Sequence, residues 1–300
     1  MFGNKVEEKI LVTGSSGLVG SRFCELYSKP EQIITPSEEE FNLLNPDSIK
    51  KYLELHRVKY IINFGAFTDV LAAESQRDDK TSLCWDLNVN GVRHVFDNID
   101  PSQTHFIQIS TDMIFSGSES DPGPYTEDHV PESDSRKITW YGYTKSQAEN
   151  IVSGSGVIIR ICNPVRADFP AKSDYFRKPL SLFDQGKLYP LFSDQHITIS
   201  YIDEISAALE KIIKKNLKGT FHVSSSDVVT PFDVITKLLK KTRGVTQSIE
   251  ESSILSLNNP VRYPQFAGLN CKKTESALDL KFSSTSQIID NLISQGLALM

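Results

Sequence analysis

The sequence predicts an α/β fold: a doubly wound parallel sheet, followed by a smaller α/β region toward the C-terminus. Three observations carry that expectation. Short apolar runs alternate with segments of helical spacing, no hairpin signal separates the runs, and the first run ends in a glycine cluster that opens a helix. Lys9–Thr13 is an apolar run of the kind that fills a buried parallel strand. Leu18–Leu26 then places Val19, Phe23 and Leu26 at helical spacing. Gln32–Thr35, after Pro30, reads as the second strand. Asn45 and Pro46 open a helix, because an asparagine side chain takes up unpaired N–H groups and proline has none to pair. Tyr60–Asn63 is expected as a strand, Asn88–Phe96 as a helix and His105–Ile109 as a strand. A helix beginning near Trp140 and a strand at Val157–Ile161 complete this half. The second half is less regular, with helices near Ile202–Lys214, Pro231–Lys241 and Thr285–Ser294 and a short strand at Thr220–Val223. The polar stretch Ser116–Thr139 is long enough to predict a functional or mobile loop.

Composition narrows the function classes. The 300 residues are 39% hydrophobic and 23% charged, which excludes wholesale disorder, collagen and coiled coil. The net charge of −6 comes without any basic run, and phosphate neutralisation needs clustered Lys and Arg. Lys214-Lys215 and Lys240-Lys241 read as solvated helix faces, so nucleic acid is not expected as a partner. Cys24, Cys84, Cys162 and Cys271 lie far apart without metal-ligand spacing, so neither a disulfide framework nor a metal site is expected. His56, His94 and His105 read as surface or satisfied structural residues, and His222 as a core partner. The N-terminal MFGNKVEEKI lacks the apolar stretch of a signal peptide. No run approaches the ~18 apolar residues that span a bilayer. The expectation is a reduced, cytoplasmic protein with no membrane partner.

The glycine cluster is the first functional signal. Gly14, Gly17 and Gly20 are spaced three apart between a strand and a helix. The first permits a tight turn, the second lets backbone approach a pyrophosphate, and the third lets the helix pack on the sheet. The helix N-terminus then offers unpaired N–H groups to the phosphates. A plain turn is the alternative, and the position at the first strand of an alternating chain favours a dinucleotide. The second strand is followed by Thr35-Pro36-Ser37, with no acid to repel a 2′-phosphate and no arginine to clamp one. Glu38–Glu40 lie slightly beyond. NADP(H) is therefore favoured, with NAD(H) as the alternative.

A second signal lies at Tyr141 and Lys145, four residues apart and hence on one helix face. An ammonium beside a phenol favours the phenolate and lowers its pKa from ~10. Tyr143 is not equivalent, since Gln147 stands four residues after it. The third signal is Ser110-Thr111-Asp112, hydroxyls and an acid where a strand reaches the carboxyl edge of the sheet. A hydroxyl there can stabilise charge on a substrate oxygen. The bland readings are an exposed Tyr–Lys pair and a helix cap or turn.

Together these motifs resemble the extended short-chain dehydrogenase/reductases, and among them are most similar to the dTDP-4-dehydrorhamnose reductases. Thr13-Gly14-x-x-Gly17-x-x-Gly20 matches the family's cofactor loop, and Ser110-Thr111-Asp112-Met113 with Ile114-Phe115-Ser116-Gly117 is similar to its S-T-D-Y-V-F-D-G. Gly123-x-Tyr125-x-Glu127 and Tyr141-Gly142-x-Thr144-Lys145 match two further motifs, with weaker echoes at Asn63–Thr68, Asp194-Gln195 and Gly219–His222. The resemblance covers almost the whole chain.

What the resemblance implies is specific. Thr111 would hydrogen-bond the substrate oxygen, Tyr141 would be the acid/base, and Lys145 would hold the nicotinamide ribose and depress the Tyr141 pKa. The cofactor would lie along Gly14, Ser16, Gly17, Leu18, Val19, Gly20, Asn63, Gly65 and Ala66, with Asn88 in the helix behind. Asn42 stands where many relatives carry Asp. Substrate contacts would come from Thr68, Asp112, Met113 and Asn163. A Rossmann domain would occupy residues 1–165 with return segments near 190–225. A substrate domain would comprise 166–189 and 226–300. The implied activity is NAD(P)H-dependent reduction of a keto group on a nucleotide-activated sugar, in a chain that can form a homodimer. Two alternatives are an NAD-dependent nucleotide-sugar epimerase or dehydratase, and a non-catalytic nucleotide-binding regulatory subunit. Asp112-Met113 lacks the acid pair of a dehydratase. Three departures point away from the standard 4-keto-rhamnose precursor: Met113 for a tyrosine, Asn163 for a tryptophan, and a short insertion within Glu132–Trp140. Trp140 filling the vacated space is the competing explanation.

Overall fold

The computed structural model describes residues 8–258 and 261–299; the expectation about a signal peptide rests mainly on residues outside them. Strand and helix alternate through β1 (Ile10–Thr13), α1 (Leu18–Leu26), β2 (Ile33–Ile34), α2 (Pro46–Leu55) and β3 (Tyr60–Asn63). Two short helices follow, α3 (Val70–Glu74) and α4 (Leu83–Trp85), and a π-helical turn at Asp86–Asn90 leads into α5 (Gly91–Phe96). Next come β4 (His105–Thr111), α6 (Trp140–Val152), β5 (Val157–Ile161), α7 (Arg177–Asp184), β6 (Leu191–Phe192) and α8 (Ile202–Lys215). The chain ends with β7 (Gly219–Val223), α9 (Pro231–Arg243), β8 (Glu251–Ser252), α10 (Lys272–Leu278) and α11 (Thr285–Ser294).

Six of the strands form one parallel sheet in the order β2-β1-β3-β4-β5-β7. The chain leaves β1 toward one edge and later returns to β3 on the other side. A crevice therefore opens at the carboxyl ends of β1 and β3, where open α/β sheets take their ligands. Side chains alternate across a strand, so Ile10 and Val12 face Phe23 of α1 and Ile205 and Leu209 of α8, while Leu11 faces Ile49 of α2 and Val95 of α5. Both faces are covered, which is why β1 is apolar without alternation. This is the Rossmann-type arrangement. A separate apolar cluster joins Val165, Phe176, Leu180 and Leu191 to Val234, Leu238, Ile288 and Leu292 around the β6–β8 pair.

Several expectations need adjustment. The Asn45 cap is present, its side chain accepting from the N–H groups of Asp47 and Ser48. The helix expected at Asn88 begins earlier, at Leu83, and α3 was not foreseen, because neither short helix has room for a periodic apolar face. β2 is shorter than expected, and β4 continues two residues further to include Ser110 and Thr111. The Ser116–Thr139 stretch is tied down rather than loose: Gly123 N–H donates to Phe266 O at 2.8 Å, Tyr125 N–H to Gly268 O at 2.9 Å and Asn270 N–H to Tyr125 O at 2.7 Å. Among the described residues, no helix is long and apolar enough to cross a membrane.

Candidate active site

Thr13 ends β1, and the glycines turn the chain into α1 around its neighbour β3. Gly14 sits at φ +63°, and a Cβ there would lie 2.8 Å from backbone atoms of Phe64 and Gly65. A Cβ on Gly20 would stand 2.4 Å from the Gly14 carbonyl oxygen. Among the described residues no side chain caps α1 at Gly17, so the N–H groups of its first turn, including Leu18 and Val19, face the crevice without an intrahelical acceptor. Ser16 and Gly17 are exposed at its mouth.

A chain of amides fixes the strand ends around the crevice. The Thr13 hydroxyl donates to Asn63 Oδ1, Asn63 Nδ2 donates to Gln108 Oε1 at 2.9 Å, and Gln108 Nε2 donates to Ile109 O at 2.8 Å. Asn63 thus braces β1, β3 and β4, while Gly65 and Ala66 stay half-buried on the β3 loop. The Asn42 side-chain oxygen is engaged by the Leu44 N–H at 2.9 Å, and a Leu43 methyl covers Gly65.

Helix α6 is held at its start more firmly than its sequence suggests. Thr139 caps it, accepting from Gly142 N–H at 2.9 Å, and the Trp140 N–H donates to Glu74 Oε2 at 3.0 Å. Glu74 pairs with Arg77 at 2.6 Å, and Arg77 also donates to the carbonyls of Ser135 and Ile138 at 2.7 and 2.9 Å. Sequence reasoning missed this clamp, whose residues carry no motif. A Cβ on Gly142 would fall 1.9 Å from the Met113 carbonyl oxygen, so the first turn of α6 rests directly on the turn after β4. Thr144 donates to Tyr141 O at 2.9 Å and accepts from Asn88 Nδ2 at 3.0 Å, and Asn88 Oδ1 accepts from Phe67 N–H at 2.8 Å. The Tyr141 backbone is thereby tied to the β3 loop. Lys145 is buried on the same face and donates to Ile109 O at 2.6 Å. Tyr143 points elsewhere and stacks on Trp140 with centroids 5.4 Å apart.

The Thr111 hydroxyl donates to Asp112 Oδ1 at 3.3 Å and accepts from Met113 N–H at 3.2 Å, so it caps the turn Asp112–Ile114 at the mouth of the site. Next to it the buried Ser110 hydroxyl has no hydrogen-bond partner among the described residues. Burial pushes the Asp112 carboxyl up to about 6, against hydrogen bonds from Thr111 and nearby backbone. Burial first, and then the Asp112 charge, raise the Tyr141 phenol above its ordinary value. That corrects the expected depression: the Lys145 ammonium donates to the Ile109 carbonyl, and desolvation decides the direction. Burial lowers Lys145 itself to about 8.

The Asp112 shift has a testable sign. Its native pKa lies above the unfolded value of ~3.9, so between roughly pH 4 and 6 the native state holds a proton the unfolded chain has released. The buried charge thus lowers stability at neutral pH and has no effect well below pH ~4. Asp112→Asn is expected to raise the Tm near pH ~7.5, with the gap to the parent closing toward pH ~4 in scanning calorimetry. A gap independent of pH would contradict this assignment.

Beneath α6, Arg160 of β5 forks onto Glu149 at 3.0 and 2.7 Å, both side chains being 4% exposed. Arg160 lies 3.3 Å from His222 Nε2, and burial followed by this cation pushes His222 down to about 3, a neutral core partner as expected. Glu127 accepts from Thr274 N–H at 3.0 Å and from its hydroxyl at 2.6 Å, which gives the Gly-x-Tyr-x-Glu motif a structural task.

The residues expected to meet substrate are spread along the cleft. Met113 is half-buried. Asn163 adopts φ +42°, a conformation asparagine tolerates and a tryptophan would find strained, and donates to Thr198 O at 3.2 Å. Exposed Thr68 accepts from Lys172 Nζ at 3.0 Å. Trp140 is fully buried with Ala73 and Cys84 and stacks on Trp85 at 5.8 Å, on the α3–α4 side.

Comparison with known proteins agrees with this architecture. A probable low-salt glycan biosynthesis reductase, Agl14, of Haloferax volcanii is 27% identical over 283 residues, 89% of this chain and 91% of the relative. The methionine adenosyltransferase 2 subunit beta of Rattus norvegicus is 21% identical over 91% of this chain and 83% of its own. Among solved structures, the dTDP-4-dehydrorhamnose reductase of Bacillus anthracis in complex with NADP superposes with a TM-score of 0.84 at 21% identity, covering 96% of this chain and 99% of that one. The model of the RmlD substrate binding domain matches residues 8–297, nearly the whole chain, and the protein belongs to that family.

Proposed function

We propose that the protein is an NADPH-dependent oxidoreductase of the extended short-chain dehydrogenase/reductase type, reducing a keto group on a nucleotide-activated sugar. The observation that carries this reading is the placement of half-buried Tyr141 and buried Lys145 on one helix face, packed against the Thr111 turn and beside a glycine crevice. The crevice suits a dinucleotide: Gly14 has no room for a Cβ, and the uncapped first turn of α1 offers N–H donors to a pyrophosphate. No acid follows β2 at Thr35-Pro36-Ser37, which favours NADP(H) over NAD(H). The names of the Haloferax and Bacillus relatives support a nucleotide-sugar or glycan reductase.

When bound, NADPH supplies the hydride. The raised pKa of Tyr141 keeps its phenol protonated at neutral pH, which suits a proton donor to the carbonyl oxygen. Thr111 turns its hydroxyl from Asp112 to that oxygen, and Lys145 orients the ribose. Residues 166–189 and 226–300 would hold the sugar nucleotide.

The substrate we infer differs from dTDP-4-dehydrorhamnose. Met113 brings no hydroxyl, and Asn163 holds a backbone conformation poorly suited to an aromatic wall. Trp140 is engaged by α3 and α4. Sites built to pair a hydroxyl discriminate strongly by that pairing. NADPH oxidation with a panel of nucleotide-linked keto sugars is expected to select another member. A kcat/KM of ~10⁴ M⁻¹s⁻¹ or above on dTDP-4-dehydrorhamnose would contradict it. A second reading, a non-catalytic regulatory subunit, is favoured by the similarity to the rat beta subunit over 91% of this chain.

A further inference from the structure

The loop between β5 and α7 spans the crevice from one wall to the other. On one side Arg166 donates to Ser21 Oγ of α1 at 3.0 Å and to the Glu25 carboxylate at 3.0 and 3.1 Å. On the other side Lys172 donates to Thr68 of the β3 loop at 3.0 Å. The strap therefore joins the helix that follows the glycine turn to the loop that follows β3, across the two strand ends that bound the crevice. Its stem is built rather than floppy. Arg177 and Asp174, 7% and 0% exposed in their side chains, pair at 2.9 Å. Arg177 also donates to Phe169 O and, at 2.7 Å, to the carbonyl of Lys172 itself. Asp174 accepts from the N–H groups of Arg166, Phe176 and Arg177.

The three cations of the strap are partnered differently. Arg166 is neutralised by Glu25 and Arg177 by Asp174. Lys172, whose carbonyl is held by Arg177 and whose side chain is exposed, rests on a hydroxyl and has no carboxylate partner among the described residues. A threonine hydroxyl is a neutral acceptor for an ammonium, whereas a phosphate oxygen adds the attraction of opposite charges to the hydrogen bond.

We propose that Lys172 is the phosphate latch of the cleft: its ammonium exchanges the Thr68 hydroxyl for an oxygen of a bound diphosphate. The proposal rests on the reading of the cleft as a nucleotide site and not on turnover. The diphosphate can belong to the cofactor or to the sugar nucleotide, and the test separates them. Full-length parent, Lys172→Ala and Lys172→Arg would be titrated calorimetrically with NADPH, dTDP, UDP and thymidine. Lys172→Ala is expected to weaken a diphosphate ligand about tenfold or more, Lys172→Arg to recover most of that, and thymidine affinity to stay unchanged. A loss confined to NADPH assigns the latch to the cofactor; a loss confined to dTDP or UDP assigns it to the substrate. Parent-like affinity of Lys172→Ala for NADPH, dTDP and UDP overturns the latch and leaves the nucleotide reading standing. Failure of the parent to bind any of the three overturns both. The variant alters an exposed side chain, so an unchanged Tm is expected, and a loss of thymidine binding equal to that of dTDP would also count against the latch.

Discussion

Tyr141→Phe is expected to lower NADPH-dependent turnover by ~10²-fold or more while leaving NADPH binding and Tm near those of the parent. The ring stays, so its packing beside Trp140 and Cys84 is kept. Among the described residues the phenol oxygen donates to no protein group, so its removal strands no buried partner. On the proposed mechanism, what disappears is the proton donor, a phenol whose pKa burial and the Asp112 charge raise. Steady-state kinetics with an NADPH titration checks both halves. Equal biological activity in the parent and Tyr141→Phe, with nucleotide binding retained, would instead support the regulatory reading.

Glu149→Ala is expected to destabilise the fold by about 3–5 kcal/mol, because it leaves Arg160 buried without its carboxylate. The other groups that touch the guanidinium bring no negative charge: the Glu127 carbonyl accepts at 3.4 Å, His222 is held neutral, and the Phe115 ring, 5.1 Å away, offers only its face. Since Glu149 lies on α6 and Arg160 on β5, the loss also loosens the helix that carries Tyr141 and Lys145. Replacing both charges, as Glu149→Leu with Arg160→Met, is expected to recover most of the stability, since the uncompensated charge is the larger cost. Denaturant unfolding measures both variants. A single-variant loss under about 1 kcal/mol would contradict the assignment.

What could be read from the sequence follows from the range of the interactions involved. The glycine turn was legible because a positive φ and a close backbone approach admit almost no other residue, as Gly14 shows. Tyr141 and Lys145 were legible because helical spacing alone puts them on one face. The pKa direction of Tyr141 is not legible in the sequence, because the helical spacing shows the neighbouring Lys145 charge but not the desolvation that outweighs it. Glu74 and Arg77 were invisible because α3 is too short for a periodic signal and its partners lie about sixty residues away in the chain. The same holds for the strap: Arg166, Lys172 and Asp174 form no motif, and their meaning comes from contacts with α1 and the β3 loop. Asn163 was seen only as a missing aromatic, whereas its backbone conformation explains why asparagine suits the position.

The central claim is that hydride passes from NADPH to a keto carbon on a nucleotide-linked sugar and stays there. The most direct measurement uses NADPH deuterated at both C4 positions of the nicotinamide, with product analysis by mass spectrometry and NMR. Reduction predicts one deuterium per NADPH oxidised, on the former carbonyl carbon. Sugar product formed without NADPH consumption and without label, the outcome expected of an epimerase or dehydratase that returns its hydride, would contradict it.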